Sequence, residues 1–372
     1  MHIAIDCRLG GIAHAGIGRY ITHIVQELIA LSTPDVHWSI ICRDAAQASE
    51  VLGKFQKHKS VAVVFVRARH YTIREQLELI PVLWRLKPDV FHVPHFNAPV
   101  FYFGKTVVTI HDLLWHEMRG SSVTTLPAWQ YWLKYYFYKL ITSIGISHAS
   151  KVLVPTKAVS NTILSFYPNA KQKIQITKEG VSASFLSKKP ATYSWTARSQ
   201  AGLLYVGSLY PHKNVELVLK AVQRMSDTTL KIVGARSAFL PEVQALAAQL
   251  GIANRVEFTG ALSDTELAKA YQTATALVQP SRSEGFGLTG IEAMASGTPV
   301  LCSNILVFRE VYADNAFYFD PTSVDSFIAT YSQLKQKKSA SKIAAAYSYA
   351  STFSWKSTAS ETMSAYTQAA YA

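Results

Sequence analysis

The chain has 372 residues, 49% of them hydrophobic and 16% charged, which predicts two or three domains with sizeable cores. The three cysteines, Cys7, Cys42 and Cys302, lie far apart without C-x-x-C spacing, which argues against a disulfide framework and a zinc site and favours a reducing cytoplasm. The net charge of +13 lies mostly in the first half, since residues 1–190 hold 22 Lys and Arg against 11 Asp and Glu, and residues 191–372 hold 15 against 13. We therefore expect the first half to meet an anionic partner: nucleic acid, an anionic leaflet or a phosphorylated acceptor.

The chain begins with residues that predict a strand. Residues 1–6 lack the basic and long apolar regions of a signal peptide, so we expect none. No apolar run approaches the roughly 18 to 20 residues that a spanning helix needs. The sequence thus predicts a chain that does not cross a bilayer.

The first half alternates strand-like and helical runs. Segments such as 20–31 and 160–166 suit helices. The candidate strands are residues 3–5, 38–42, 61–66, 90–92, 106–110 and 151–154. This alternation predicts a doubly wound α/β domain.

A glycine-rich turn, residues 10–20, follows the first strand. Such turns bind many nucleotides, so the turn alone is a weak signal. A dinucleotide enzyme would also place an acidic residue about 20 residues further on. Asp35 does not fit, because it follows Pro34 in a turn. The sequence therefore argues against an NAD enzyme.

Two stretches of the first half, residues 67–87 and 126–140, mix aromatic and apolar side chains with Lys and Arg. This mixture fits helices that lie at a membrane surface, although part of the aromatic face is expected to be core. The residues predicted to dock are Arg67, Arg69, Arg74, Trp84, Arg85, Trp129, Trp132 and Lys134. No nucleic-acid recognition motif accompanies the charge, so we expect no nucleic-acid partner.

His111 follows the strand-like run 106–110. It should therefore lie at the carboxyl end of a parallel strand, where ligands bind in doubly wound sheets. His92, His95 and His116 are nearby alternatives that the sequence does not rank.

A second series of strands begins at 203–207 and continues at 230–234, 256–260 and 276–278, after a polar linker over 182–200. Between the first two of these runs, residues 207–214 leave a strand and enter a helix. Lys213 in this turn is a cation that could meet an anionic ligand such as a diphosphate.

Residues 281–297 carry two glutamates, Glu284 and Glu292, across a glycine-rich turn that opens a helix. The free amide groups at a helix start favour an anion, and glycines let the backbone approach it. Strand-like runs on both sides make this a βαβ unit. The pattern predicts one loop that binds sugar through Glu284, diphosphate at the helix start, and ribose through Glu292.

This segment resembles the E-x7-E signature of retaining glycosyltransferases of family 4. The resemblance implies the GT-B fold: two Rossmann-like doubly wound domains facing each other across a cleft. We expect an acceptor-binding domain over residues 1–186, onto which a closing helix at 355–372 packs back, and a nucleotide-sugar-binding domain over 187–354.

The resemblance also implies site residues. His111, Lys213 and Glu284 are the expected catalytic residues, with His111 positioning the transferred sugar. Many relatives have an arginine where this chain has Ser208, so Lys213 would neutralise more of the diphosphate charge, with Arg282 or Arg236 as candidate helpers. The expected donor-binding residues are Gly16, Gly18, Ser208, Lys213, Phe258, Thr259, Glu284, Gly285, Phe286, Gly287, Leu288 and Glu292.

The implied reaction is transfer of mannose from GDP-mannose to a lipid-diphosphate-linked saccharide, as in bacterial mannosyltransferases of surface-polysaccharide assembly. The departing phosphate would help to remove the acceptor proton, so no nucleophile, cofactor or metal is expected. The implied location is the cytoplasm, peripherally on the inner face of the cell membrane. A UDP-hexose donor and a GT-B sugar-nucleotide epimerase or phosphorylase remain the alternatives.

Overall fold

A computed structural model describes residues 1–120, 124, 126–186, 194–198, 200–234, 238–336 and 338–371. The chain divides into two compact units. Unit 1 comprises Met1–Glu117, Leu126–Gly180 and Trp355–Ala372, and unit 2 comprises Met118–Thr125 and Val181–Ser354.

Unit 1 contains a seven-stranded sheet in the order β3-β2-β1-β4-β5-β6-β7, and its strand pairs are parallel. Its strands are β1 His2–Asp6, β2 His37–Cys42, β3 Val61–Phe65, β4 Val90–Val93, β5 Thr106–Thr109, β6 Lys151–Val154 and β7 Ile174–Ile176. The central strands β4 and β5 are buried throughout, as expected for parallel strands covered on both faces.

The helices of unit 1 are α1 Ala15–Leu31, α2 Ala45–Leu52, α3 Ile73–Leu86, α4 Leu114–Glu117, α5 Ala128–His148, α6 Lys157–Phe166 and α15 Trp355–Tyr371. The side chains of Asp44, Thr72 and Thr156 accept hydrogen bonds from the first turns of α2, α3 and α6, which fixes where these helices begin. Helix α15 ends the chain and packs against α1.

Unit 2 contains a six-stranded parallel sheet in the order β10-β9-β8-β11-β12-β13. Its strands are β8 Leu203–Val206, β9 Leu230–Val233, β10 Val256–Gly260, β11 Ala276–Gln279, β12 Val300–Ser303 and β13 Phe317–Phe319. Its helices are α7 Trp195–Arg198, α8 Val215–Arg224, α9 Leu240–Gln249, α10 Asp264–Thr273, α11 Leu288–Ala295, α12 Leu306–Tyr312, α13 Val324–Gln333 and α14 Lys338–Ala350.

The predicted pair of doubly wound α/β domains is confirmed. In each sheet the first strand lies between the second and the fourth of its unit, so the strand order reverses at β1/β4 in unit 1 and at β8/β11 in unit 2. The carboxyl ends of the strands at such a reversal, called the switch point, form the crevice in which doubly wound folds bind ligands. The loops after these four strands are therefore where a site is expected.

Residues 181–186 pack with unit 2, although the sequence placed the domain boundary after residue 186. Val181 donates a backbone hydrogen bond to Phe353 O at 3.2 Å. The ring of Phe185 is buried and lies 5.8 Å from that of Tyr271, and Ser296 donates to its carbonyl. A buried phenylalanine anchors this segment, so the division between the units falls at residue 180.

Candidate functional site

The loop after β8 places Lys213 at the switch point of unit 2. It passes through a short 3-10 helix, Pro211–Lys213, and reaches α8 through Asn214, which has a left-handed backbone with φ of 58°. The hydroxyl of Tyr205 donates to the carbonyl of Ser208, so Ser208 is bonded within this loop through its backbone. Ser208 and Lys213 are thus on one loop, as predicted.

The loop after β11 places Glu284 at the same switch point. Gly287 is the N-cap of α11 with φ of 94°, and a Cβ there would lie 2.2 Å from the hydroxyl of Tyr312. No other residue type fits this position without displacing Tyr312. The predicted loop residue Gly285 lies between Glu284 and Phe286, and Phe286 and Leu288 are buried, which anchors both ends of the turn.

Hydrogen bonds join the two loops. The side chain of Asn214 donates to Pro280 O at 3.0 Å and to Pro321 O at 2.9 Å. The backbone N–H of Arg282 donates to His212 O at 2.8 Å, and its guanidinium donates to Asn214 Oδ1 at 3.2 Å. Arg282 therefore helps to hold the loops together. Arg236, the other arginine considered from the sequence, lies outside the described residues.

Lys213 and Glu284 form an ion pair, with Nζ 2.8 Å from Oε2. Ser281 donates to the other carboxylate oxygen at 2.7 Å. Burial raises the pKa of Glu284, but the charge and hydrogen bond of Lys213 and the bond from Ser281 outweigh it, so the pKa lies below its ordinary value. The pair remains partly open to solvent, since the side chains are 22% and 15% exposed.

His212 is a neutral neighbour of this pair. Burial and the positive charge of Lys213 lower its pKa to about 4. At neutral pH the positive charge on this side of the pair therefore comes from Lys213. The Lys213 cation, the Glu284 carboxylate and the helix start together suit a ligand that carries both hydroxyl groups and a diphosphate.

Glu292 lies within α11 and is buried, with its Oε2 accepting a hydrogen bond of 3.0 Å from the Tyr271 hydroxyl. Phe258 and Thr259 lie on β10, which β9 separates from β8. Phe258 packs on the core of unit 2, and the Thr259 hydroxyl faces Ile232 O at 3.5 Å. The structure thus places Glu292 beside the loop of Glu284 but Phe258 and Thr259 two strands from Lys213.

The predicted glycines of the first turn lie in unit 1, at the start of α1, which begins five residues earlier than expected. A Cβ on Gly18 would lie 1.9 Å from Gly11 O, so this position requires glycine. A Cβ on Gly16 would meet no atom within 4 Å among the described residues. Packing thus explains Gly18, and it does not explain Gly16.

His111 lies just after β5, where the sequence placed it. Its Nδ1 is 3.3 Å from Glu179 Oε1, its Nε2 is 3.2 Å from Pro94 O, and its ring meets that of Tyr20 edge-on at 4.6 Å. Glu179 was missed, because β7, the three-residue strand before it, is too short to show a periodic pattern.

Two of the alternative histidines have both ring nitrogens engaged by neighbouring side chains. His92 lies between Tyr366 and Thr109, and burial lowers its pKa to about 3. His116 lies 2.8 Å from the hydroxyls of both Tyr138 and Tyr167. These contacts give His92 and His116 structural roles, whereas His111 is paired with a carboxylate.

The switch point of unit 1 carries a buried charge network that the sequence did not reveal. Arg8 is fully buried and bonds to Asp6 at 2.6 Å and to Glu75 at 2.8 Å. Burial raises the pKa of Asp6, but Arg8 brings it below its ordinary value. Asp6, His70 and Glu75 have the atoms of a metal site within 4.8 Å of one another, yet Arg8 already bonds to both carboxylates.

The predicted docking residues are all exposed. Arg74 is paired with Glu78 at 2.5 Å, so its charge is partly neutralised. Helix α5 presents six large apolar side chains that are 42–69% exposed: Trp129, Trp132, Leu133, Tyr136, Phe137 and Leu140. In the described part of the chain, no helix is both long and apolar enough to cross a membrane.

Comparisons with known proteins match both units. The family described as Glycosyltransferase Family 4 matches residues 14–185, and Glycosyl transferases group 1 matches 197–351. The chain is 31% identical to the O-antigen chain mannosyltransferase RfbU of Salmonella typhimurium strain LT2 over 264 residues, covering 68% of this chain and 72% of the relative. It is 26% identical to O-antigen chain mannosyltransferase B of Escherichia coli over 372 residues, covering 94% and 95%.

Solved structures share the fold. WaaG, a glycosyltransferase involved in lipopolysaccharide biosynthesis, superimposes with a TM-score of 0.72 at 18% identity, over 97% of this chain and 98% of that one. Anabaena Alr3699/HepE, in complex with UDP and glucose, gives a TM-score of 0.72 at 17% identity, over 98% of each chain.

Proposed function

The chain belongs to glycosyltransferase family 4 and has the GT-B fold, and on this basis we propose that it is a retaining, metal-independent hexosyltransferase. The proposed donor is GDP-mannose and the proposed acceptor a lipid-diphosphate-linked saccharide. The names of the two O-antigen mannosyltransferases that it resembles over most of its length support mannose as the sugar.

The observation that carries this proposal is the Lys213–Glu284 pair at the switch point of unit 2. As the glycosidic bond breaks, negative charge develops on the leaving nucleoside diphosphate. A fixed cation stabilises that charge where it forms, and the amide groups at the start of α11 add to it. Lys213 and the start of α11 can therefore take the part that a metal ion plays in other transferases.

The pair also suggests how the donor is recognised. Lys213 and Glu284 hold each other while partly exposed, so an arriving diphosphate can take over Lys213. Glu284 is then released to accept hydrogen bonds from sugar hydroxyls, and Ser281 keeps its carboxylate in place. Donor binding would thus prepare the sugar-binding acid in one step.

The remaining donor contacts are proposed from position. Glu292 would accept the ribose hydroxyls, with its orientation fixed by Tyr271. Phe258 and Thr259 would line the base pocket, and Gly16 and Gly18 of unit 1 would approach the diphosphate. His111 would position the transferred sugar, held by Glu179. Retention would use the departing phosphate to take the acceptor proton, so no protein nucleophile is assigned.

We place the enzyme on the cytoplasmic face of the cell membrane. A lipid-linked acceptor keeps its reactive sugar near the headgroups, so the enzyme must come to the surface. The exposed apolar face of α5 would enter the interface while the basic residues of unit 1 meet lipid phosphates. The charge excess of residues 1–190 supports an anionic leaflet as the partner.

A UDP-hexose donor is the second candidate, favoured by the structural likeness to a chain that was solved with UDP and glucose. A sugar-nucleotide epimerase of the same fold is a third reading. It differs in its product, which is free altered sugar rather than glycosylated lipid.

Two measurements test the proposal. In a thermal-shift panel of GDP-mannose and UDP-hexoses, the true donor at about 100 times its Kd should stabilise the protein by roughly 2.7 kcal/mol. Incubation of labelled GDP-mannose with a lipid-diphosphate saccharide should then move label to lipid, with inversion or retention read from the product. Label released as altered free sugar would instead identify an epimerase.

A further inference from the structure

We propose that Tyr366, on the C-terminal helix α15, is a positioning residue for His111 and acts through His92, Thr109 and Tyr20. The inference rests on the proposed function, because it concerns the group that positions the sugar. It assigns α15 a part in the reaction beyond closing the fold of unit 1.

A continuous chain of polar side chains runs from α15 to α1. The Tyr366 hydroxyl lies 2.6 Å from His92 Nδ1, and His92 Nε2 lies 2.8 Å from Thr109 Oγ1. Thr109 Oγ1 is in turn 3.3 Å from the Tyr20 hydroxyl. These side chains are at most 2% exposed, so water does not compete for the bonds.

The protonation states of Tyr366 and His92 are compatible with both hydrogen bonds. Burial keeps Tyr366 protonated by raising its pKa, and it keeps the His92 ring neutral by lowering its pKa. A neutral imidazole has one donor and one acceptor nitrogen. The two hydroxyls therefore engage one donor and one acceptor nitrogen of His92, and the two contacts together hold the tilt of the ring.

This series of hydrogen-bonded side chains ends at Tyr20, whose ring contacts that of His111. The Tyr20 ring meets the His111 ring edge-on at 4.6 Å, and the ring of Trp355, at the start of α15, lies 5.8 Å from Tyr20. Helix α15 thus holds Tyr20 at two points. Trp355 contacts its ring directly, and the hydrogen-bonded relay of Tyr366, His92 and Thr109 reaches its hydroxyl. Since Tyr20 forms one wall beside His111, its position helps to set that of the His111 ring.

A buried chain of this kind is sensitive to the loss of one member. Removing the Tyr366 hydroxyl leaves His92 Nδ1 without this hydrogen-bond partner in a fully buried site, which favours a new ring orientation. A shift of the His92 ring would be transmitted through Thr109 and Tyr20 to the His111 ring. A displacement of about 1 Å at a catalytic group can lower the rate by on the order of 10². Packing of α15 alone would need no hydroxyl at this place.

The test is a double-mutant cycle between Tyr366→Phe and His111→Ala. We expect Tyr366→Phe to lower kcat by on the order of tenfold without changing the donor KM, and to cost less than about twofold more in the His111→Ala background. Tyr371→Phe, an exposed tyrosine on the same helix, is the matched control and should change neither. Losses that multiply fully in the double variant would overturn the proposal.

A second readout does not depend on the acceptor. In protein carrying ¹⁵N-labelled histidine, the NMR chemical shifts of the His111 ring nitrogens should change in Tyr366→Phe and in Thr109→Val, which breaks the relay at its middle. They should not change in Tyr371→Phe. An unmoved His111 signal in both relay variants would overturn the proposal even if transfer is confirmed. Conversely, a moved signal in a protein that transfers no sugar would leave the relay standing and refute the proposed function.

Discussion

Units 1 and 2 share a strand order, but the charged side chains at their switch points differ in exposure to solvent. In unit 2 the Lys213–Glu284 pair is partly exposed, whereas in unit 1 the side chains of Asp6, Arg8 and Glu75 are at most 1% exposed. A pair near solvent can exchange its partner for a ligand at modest cost. A fully buried network cannot, because each charge would be left unpaired in a medium of low dielectric constant.

The difference assigns different tasks to the two networks. Arg8 ties the loop after β1 to the first turn of α3, and Asn97, after β4, donates to Glu75 at 2.5 Å. The network of unit 1 therefore shapes the edge of the sheet on which His111 sits. In the proposed function, the pair of unit 2 meets the donor. Substitutions at the two places should accordingly have different signatures.

The largest effect is expected from Arg8→Met. Removing the guanidinium leaves two buried carboxylates without their cation, and breaking a buried pair in this way costs about 3–5 kcal/mol of unfolding free energy. Denaturant melts followed by circular dichroism would measure the loss. Arg85→Met, an exposed arginine of the same unit, is the control and should leave the midpoint unchanged. An unchanged denaturation midpoint for Arg8→Met would show that the buried network of unit 1 is not needed for stability.

Lys213→Ala should show the opposite signature. We expect turnover to fall by on the order of 10² or more, because a charge contact of the transition state is lost, while the free energy of unfolding falls less than in Arg8→Met, because the pair is partly exposed. Lys220→Ala, which removes an exposed lysine of the same unit, is the matched control. Near-parental turnover at saturating donor would remove Lys213 from the mechanism.

The pH profile of Lys213→Ala sharpens this prediction. Lys213 now holds the pKa of Glu284 below its ordinary value, so the pair stabilises the folded chain above that value and is lost as the pH falls through the lowered pKa. Without Lys213, burial dominates and the pKa of Glu284 rises. The acid limb of kcat/KM should therefore move to higher pH, and an unchanged limb would show that the carboxylate is not needed in its charged form.

The same contrast explains what the sequence could reveal. Glu284, Gly287 and Glu292 lie within one strand-turn-helix segment, so spacing alone predicted their loop, and Lys213 lies in a similar turn one strand away. Asp6 and Glu75 are 69 positions apart and meet only because the sheet order brings their loops together. The doubly wound fold followed from the alternating runs, but the three-residue strands β7 and β13 were too short to be recognised.

Membrane binding should depend on the basic residues of unit 1 and not on those of unit 2. Replacing Arg67, Arg69 and Arg74 with Ser should weaken sedimentation with anionic liposomes by roughly 10- to 100-fold, since each basic residue near the surface contributes about 1 kcal/mol and Arg74 is already paired. Trp129→Ser with Trp132→Ser should weaken it through the apolar face of α5.

The control for this experiment removes the same charge from unit 2. Lys220→Ser, Arg224→Ser and Lys269→Ser replace exposed residues there and should leave binding unchanged. Binding should require anionic lipid and fall as salt rises. Salt-insensitive binding, or none to anionic vesicles, would leave the basic half unexplained and favour a soluble sugar acceptor.

The two glutamates of unit 2 should divide donor recognition. Glu292→Ala should weaken the binding of free GDP about tenfold. Glu284→Ala should leave the affinity for free GDP nearly unchanged and chiefly reduce turnover. Tyr271→Phe, which removes the hydrogen bond to Glu292 and keeps its carboxylate, should give a smaller loss. Calorimetric titration with GDP measures all three. Equal losses for the two glutamates would contradict this division.

The smallest expected effect is that of EDTA on transfer, which should be none. In the proposed site, Lys213 and the start of α11 would supply positive charge to the leaving diphosphate. Among the described residues, the atoms of a possible metal site converge at Asp6, His70 and Glu75 of unit 1, where Arg8 bonds to both carboxylates and takes the place of a cation. Activity that EDTA abolishes and magnesium or manganese restores would transfer the neutralising role from Lys213 to an ion. It would also remove the main chemical reason for the partly exposed pair that distinguishes unit 2 from unit 1.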